Sequence, residues 1–252
     1  MGEFFDAETG GPARLELLSV DGHDFHVLRR LGYRSDRHDE VFEYPADLES
    51  FRTDMASVPT VFRWLVPRSG AFLPAAVLHD AITEPTSYTG PRVDRTEADA
   101  IFRTAMGELG TGVIRRWLMW AAVTMVTMWY AETGRFWRRI ALVGTIVVIT
   151  ILGLLATADL VDLITWVPWM GEGPWWVELV SGAVGAILIP AALSLTWGRH
   201  ALAGLITGWA LAFLIHVTIA VSLVYALYHV IERIVSGPHD RRGVHPRCRT
   251  TD

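Results

Sequence analysis

Between Ile140 and Ile231 the only charged side chains are Asp159, Asp162, Glu172, Glu178 and Arg199. A surface that faces water needs far more polar cover than this, so lipid is the expected solvent of the stretch. It reads as an all-α transmembrane region, 137–235, with about three spans. The first, 140–158, is uncharged and holds eleven Ile, Leu or Val residues. On the insertion scale these contribute roughly −3 to −7 kcal/mol toward spanning. Its length as a helix, about 28 Å, is close to the ~30 Å hydrocarbon core of a bilayer. The second, 177–197, has Glu178 at its edge and tolerates Pro190 as a kink. The third, 202–231, is long enough that it must tilt or protrude. Trp166, Trp169, Trp175, Trp176 and Trp197 gather at the segment ends, where amphipathic rings suit the headgroup zone.

Orientation follows from arginine placement. Arg135, Arg138 and Arg139 precede the first span, while 159–176 has no basic residue. The positive-inside rule then puts the N-terminal part in the cytoplasm and the chain in the inner or plasma membrane. The acidic start, without basic or apolar signal regions, agrees. The arginine-rich tail, 236–252, pulls the other way, which leaves open a re-entrant later segment. Glu178 and His216 are the ionisable groups to weigh at membrane depth. They read as an interfacial carboxylate and a hydrogen-bonded neutral imidazole rather than a relay. The pairs Gly182/Gly185 and Gly204/Gly208 predict close helix contacts and a homo-oligomer assembled through small-residue faces. Paired halves and midplane charges are lacking, which disfavours a transporter.

Residues 1–136 have the composition of a soluble domain. Arg14–Val20 and the stretch from Phe25 to about Tyr33 flank the turn dipeptide Asp21-Gly22. They predict a hairpin or meander continued by Glu40–Tyr44. Phe72–Thr83 predicts a short helix with Pro74 in its first turn. Asp94 caps a second helix whose apolar stripe is Ala98, Ile101, Phe102, Ala105, Met106 and Leu109, ending at Gly110. A third helix, about Val113–Thr133, is too short in its apolar centre to span. The fold class expected is an α+β domain followed by the helical region. All 22 basic residues are arginine. With the many Ala, Gly and Trp residues, this points to a GC-rich genome such as an actinobacterium or its phage. The net charge of −5 gives no reason to expect nucleic-acid binding. The single cysteine, Cys248, excludes an intrachain disulfide and a cysteine metal cluster.

Chemistry is concentrated in two places. Thr53-Asp54-Met55-Ala56-Ser57-Val58-Pro59 is followed by the apolar run that ends in His79-Asp80, and then by Arg95 and Asp99. This order, over about 51–137, resembles a small domain family of unknown function found in phage and bacterial genomes. The pattern is T-D-x-A-S-V-P, then H-D on a helix, then R-x-x-x-D. The resemblance implies candidate positions and no agreed activity. Aromatic residues that often follow the H-D pair are replaced here by Ala81, Ile82 and Thr83.

Asp54, His79, Asp80 and Asp99 supply carboxylate and imidazole groups able to bind a divalent metal or share a proton. In the hydrolase-like reading Asp54 and His79 hold a metal or activate water, while Asp80 orients the imidazole. Adjacent helical residues diverge by about 100°, so His79 and Asp80 do not aim at one atom unaided. His-Asp also occurs at His23, His38 and His239, so the dipeptide alone means little. A Ser57–His79–Asp triad lacks the G-x-S-x-G elbow. The competing reading is structural: Asp54 and Ser57 shape a turn, His79 is a satisfied core histidine, and Asp99 is a solvated helix residue. Two functions stay open. One is a membrane-anchored, phage- or prophage-derived hydrolase-like domain; the other is a non-enzymatic scaffold or lysis-associated membrane protein.

Overall fold

The computed structural model describes residues 2–19, 24–53, 69–170 and 173–236. They fall into two compact units, Met1–Ile215 and His216–Asp252. Six short strands are described in the first unit: β1 (Glu3–Asp6), β2 (Leu17–Ser19), β3 (Phe25–Val27), β4 (Leu31–Arg34), β5 (Phe42–Tyr44) and β6 (Arg52–Thr53). They form two antiparallel three-stranded sheets, ordered β1-β4-β5 and β2-β3-β6. The expected hairpin is present as β2 and β3, paired Leu17 to Val27 and Ser19 to Phe25. The turn Asp21-Gly22 lies outside the described residues.

Two corrections apply to the strands. Phe25–Tyr33 is not one strand but β3 and β4, which belong to different sheets. Arginines break it: Arg29 reaches Asp6 and Glu16, and Arg30 donates to the carbonyls of Pro45 and Ala46. The first strand was not expected at all, because its sequence, EFFD, alternates too briefly to register. It is fixed by pairing to β4 and by Tyr33, whose hydroxyl donates to Glu108 Oε2 at 2.9 Å. Burial, then the bond to the Glu108 carboxylate, holds this phenol well above its usual range.

The described helices are α1 (Leu73–Ile82), α2 (Arg95–Glu108), α3 (Val113–Tyr130), α4 (Arg135–Leu160), α5 (Trp175–Ser194) and α6 (Ala201–Ser236). Pro74 sits in the first turn of α1, as expected. Asp94 Oδ1 accepts from the Glu97 amide at 2.8 Å and caps α2. The reciprocal half of the capping box is diverted, since Glu97 pairs instead with His38 Nε2 at 3.1 Å. At the other end Gly110, at φ +77°, closes a Schellman motif, with Thr111 donating to Met106 and Gly110 to Gly107. The stripe Ala98, Ile101, Phe102, Ala105 and Met106 is buried against α1 and the sheets, with Leu109 at its margin. Met119 of α3 joins that core. A second core gathers Ala121 and Met128 of α3 with Leu142, Trp197 and Ala203.

Among the described residues two helices are long and apolar enough to cross a membrane, Arg135–Leu160 and Trp175–Val235, not the three expected. The second of these joins α5 and α6 across a sharp break, and the two lie side by side, with Trp209 Nε1 donating to the Ile187 carbonyl at 3.1 Å. Leu195–His200 forms a 3₁₀ segment, within which Gly198 (φ 58°, ψ −123°) leaves helical geometry. The small-residue faces are filled from within the chain. Gly182 faces Met170, Gly185 faces Trp169, Gly204 faces Trp197, and Gly208 faces Pro190 and Ile149. Glu178 lies in the first turn of α5, where a carboxylate suits the positive end of the helix dipole.

The segment after α1 adds an edge to the first sheet, with Glu43 and Thr89 exchanging both backbone hydrogen bonds at 2.9 Å. Gly90 comes next at φ +130°, and a Cβ there would lie 2.4 Å from the Val41 carbonyl oxygen. Gly90→Ala therefore costs both strain and overlap, about 2 kcal/mol or more. Urea unfolding in detergent should show a lower midpoint; an unchanged midpoint would mean that this edge is not formed.

Candidate functional site

Helices α1 and α2 pack side by side, and their contact is apolar except at one point. Asp99 lies three residues before Phe102 and seven before Met106, so the helical repeat puts it on the buried stripe rather than in solvent. It is 1% exposed. A carboxylate at such depth needs a hydrogen-bonding partner, and His79 of α1 provides it, with Nε2 at 2.9 Å from Asp99 Oδ1. The imidazole also packs on the ring of Phe102, centroids 5.0 Å apart. Asp99 Oδ2 is buried and has no hydrogen-bond partner among the described residues.

A carboxylate accepts from an imidazole N–H, so the Asp99 bond places the proton on Nε2. Nδ1 is then the basic atom. It faces the neighbouring Asp80, whose Oδ1 is 4.0 Å away, too far for a direct hydrogen bond. Asp80 is about one-third exposed, and its other oxygen accepts from the hydroxyl of Thr53 at the end of β6, at 2.5 Å. The two carboxylates thus take different positions. Asp99 is the inner one and fixes the ring; Asp80 is the outer one and faces an open cleft. The described lining of that cleft, about 350 Å³, is Asp24, Phe51, Arg52, Thr53, Asp80, Thr83 and Glu84.

This revises the roles expected from sequence. The residue that orients the imidazole is Asp99 and not Asp80, because side chains one residue apart on α1 diverge while a facing helix can meet the ring edge-on. Asp99 is not a solvated helix residue. Asp54 and Ser57 lie outside the described residues. Among the described residues no group of three or more His, Cys, Asp or Glu side chains could hold a metal ion. His79 Nδ1 and Asp80 are two donors, one short of the three that a catalytic zinc draws from protein.

Sequence reasoning missed three contributors to the cleft. Asp24 belongs to a His-Asp pair set aside as compositional, yet it lines the same cleft as Asp80. Thr53 opens the T-D-x-A-S-V-P run and uses its hydroxyl on Asp80. Glu84 lies just beyond the end of α1, and no sequence pattern singles it out.

An α+β domain that holds one histidine between an inner and an outer carboxylate, beside a polar cleft, is the class that this geometry defines. Residues 25–123 match the family described as Protein of unknown function (DUF1353). The match begins at β3 and stops inside α3, so it takes in Thr53, His79, Asp80 and Asp99 and leaves α4–α6 outside. No curated protein and no solved structure matches the chain.

Removing the inner carboxylate strands a buried imidazole N–H. Asp99→Ala is expected to lower the unfolding free energy by about 1–3 kcal/mol. Asp99→Asn, which can still accept through its amide oxygen, should lose less. Thermal unfolding of the two variants checks the order, and equal stability of Asp99→Ala and the parent would disprove the clamp.

Proposed function

We propose that this chain is a membrane-anchored hydrolase-like protein in which His79 acts as general base at the Asp80 cleft. One observation carries the reading: His79 is bound at Nε2 by a carboxylate that has no access to solvent, which leaves Nδ1 as the basic atom beside the outer carboxylate. A buried acid–imidazole pair that fixes the tautomer and supports the protonated ring is what proton abstraction from water or a substrate hydroxyl requires. Asp80, held by Thr53, orients the attacking water or hydroxyl by accepting from it. Asp54 and Ser57, which come shortly after Thr53 in sequence, are the further residues to which we assign a part in the reaction. A divalent metal would add a Lewis acid, with Asp80 and Asp54 as its carboxylate donors, while His79 Nδ1 keeps its lone pair for the proton.

His79→Gln and Asp80→Asn test this in the full chain, purified in detergent and assayed against generic phosphoester and peptide substrates with and without added divalent metal. Each should lower the rate by roughly 10²–10⁴-fold while the fold persists. If the parent turns over none of these substrates, or both variants keep its rate, the enzymatic reading fails. A non-enzymatic scaffold is the second reading, favoured by the fact that the same pair ties α1 to α2. It requires His79→Gln to lower Tm substantially, whereas general-base chemistry requires lost rate at nearly unchanged Tm.

The membrane part of the proposal rests on what the apolar helices leave bare. Ile140, Val143, Val147, Ile151 and Leu154 line an exposed face of α4, and only 17% of its most apolar window is buried. The corresponding figure for Trp175–Val235 is 6%. A core helix of a water-soluble protein would be mostly covered, so lipid is the fitting solvent. The arginines at 135, 138 and 139 favour an N-terminal domain on the cytoplasmic side. A reporter fused at Gly171 should then read as non-cytoplasmic. A cytoplasmic reading there would reverse the orientation, and full-length protein that stays in a high-speed supernatant without detergent would remove the membrane altogether.

A further inference from the structure

A guanidinium drawn out of water needs a partner, and several of those in the first unit have one. Arg29 pairs with Asp6 and Glu16, Arg34 with Glu3, and Arg30 with two carbonyls. Others lack one. Among the described residues no carboxylate lies within ion-pair distance of Arg37, Arg103 or Arg116.

Arg103 is the centre of this group. It projects from α2 into the corner of two perpendicular indoles of α3. Its Cζ is 4.2 Å from the ring centre of Trp117 and 4.9 Å from that of Trp120. These π faces stabilise and orient the cation but leave its in-plane N–H donors free. Arg116 is brought alongside by a glycine: a Cβ at Gly107 would stand 2.3 Å from Arg116 Nη1. Glycine inside a helix costs roughly 1 kcal/mol relative to alanine, and here that cost seats a second guanidinium one turn from the first. Burial, and then the charges of Arg37 and Arg116, push the Arg103 guanidinium below its usual range. Arg103 therefore feels the charge of both neighbours. Arg115 and Arg116 also occupy the first turn of α3, the end where the helix dipole is already positive and where no acidic residue is present.

Positive charge collected in this way, with aromatic support and an apposed glycine, is unfavourable unless an anion completes it. We propose that Arg103 and Arg116 form a binding site for a phosphoryl group, with Arg103 as the fixed fork and Arg116 as its second jaw. Planar guanidinium groups match phosphate oxygens in bidentate geometry, and two such forks suit a tetrahedral dianion. The same chemistry is offered by a phospholipid headgroup and by a free phosphorylated solute. The site is distinct from the His79 cleft: Arg103 lies one turn beyond Asp99 and faces α3 rather than α1.

Isothermal titration calorimetry on the full chain in a non-ionic detergent tests it with three probes: inorganic phosphate, dihexanoyl-phosphatidylglycerol and dihexanoyl-phosphatidylcholine. At least one of the two anionic probes should bind, more weakly as salt is raised, and more tightly than the zwitterionic lipid. Tighter phosphatidylglycerol assigns the site to a headgroup; tighter phosphate assigns it to a free solute. Arg103→Gln and Arg116→Gln should each weaken that binding by about tenfold or more, the loss expected for a charge-assisted bond. Arg103 also packs on Trp117 and Trp120, so Gly107→Ala is the second reporter. Its added methyl displaces Arg116 while raising helix propensity, and it should weaken binding with Tm unchanged or higher. No heat with either anionic probe overturns the proposal, as does binding that survives both Arg116→Gln and Gly107→Ala.

Discussion

Asp99 sets the terms for the site because it is a carboxylate inside an apolar helix–helix contact. Burying such a group without a partner is costly, and a neighbouring imidazole is a partner that satisfies it without adding a permanent second charge. The bond at 2.9 Å decides which ring nitrogen carries the proton, and therefore which one is free to act. It also decides where the ring points, since Phe102 closes one of its faces. Asp80 would look like the natural partner in sequence, yet at 4.0 Å it is left to Thr53 and to the cleft. Two carboxylates close to one histidine thus receive different environments, one dry and one wet. That asymmetry is the usual structural basis for dividing an orienting role from a substrate-facing one.

The helix behind this pair, α2, packs on α3, and α3 serves two cores. Met119 belongs to the core of the strands, α1 and α2. Ala121 and Met128 belong to the core with Leu142, Trp197 and Ala203. The fourteen-residue apolar centre of α3, too short to span a bilayer, is explained by this double duty: residues on both sides of it are covered by protein. Further ties cross between the same parts of the unit. The indole N–H of Trp197 donates to Thr145 Oγ1 at 2.9 Å, and Arg199 donates to Thr96 Oγ1 at 3.1 Å, next to the start of α2.

Much of this was legible in the sequence where a local rule acts alone. The α2 stripe, its Asp94 cap and its Gly110 terminator come from helical period and end chemistry, and each is found in place. Pro74 marks the start of α1 for the same reason. The features that escaped depend on partners distant in sequence. β1 exists because β4 receives it, and Phe25–Tyr33 divides because Arg29 and Arg30 find carboxylates and carbonyls elsewhere. The role of Asp99 was half visible: the helical repeat places it on the buried side, but only the fold shows that His79 meets it there. The second and third apolar segments are expected to part between Trp197 and Leu202, and the backbone does break there, at Gly198, beyond which α6 returns alongside α5.

The shared helix bears on how the site and the apolar helices act together. If α3 ended a self-contained domain, cutting after residue 136 would leave a soluble fragment with its site intact. Instead the cut would bare Ala121 and Met128 and remove the partners of Thr96 and Trp120. Trp120 is also one of the two rings on Arg103, so the loss would reach that guanidinium, one turn beyond Asp99 on α2. The helix starts at its Asp94 cap, five residues before Asp99, and Thr96 lies in its first turn. The helix that carries Asp99 is therefore held on either side of it by residues whose packing depends on α4 and on the turns around Arg199. Within residues 1–215 the helix that carries Asp99 is thus braced by α3, α4 and the turns around Arg199, so these elements are one packed unit.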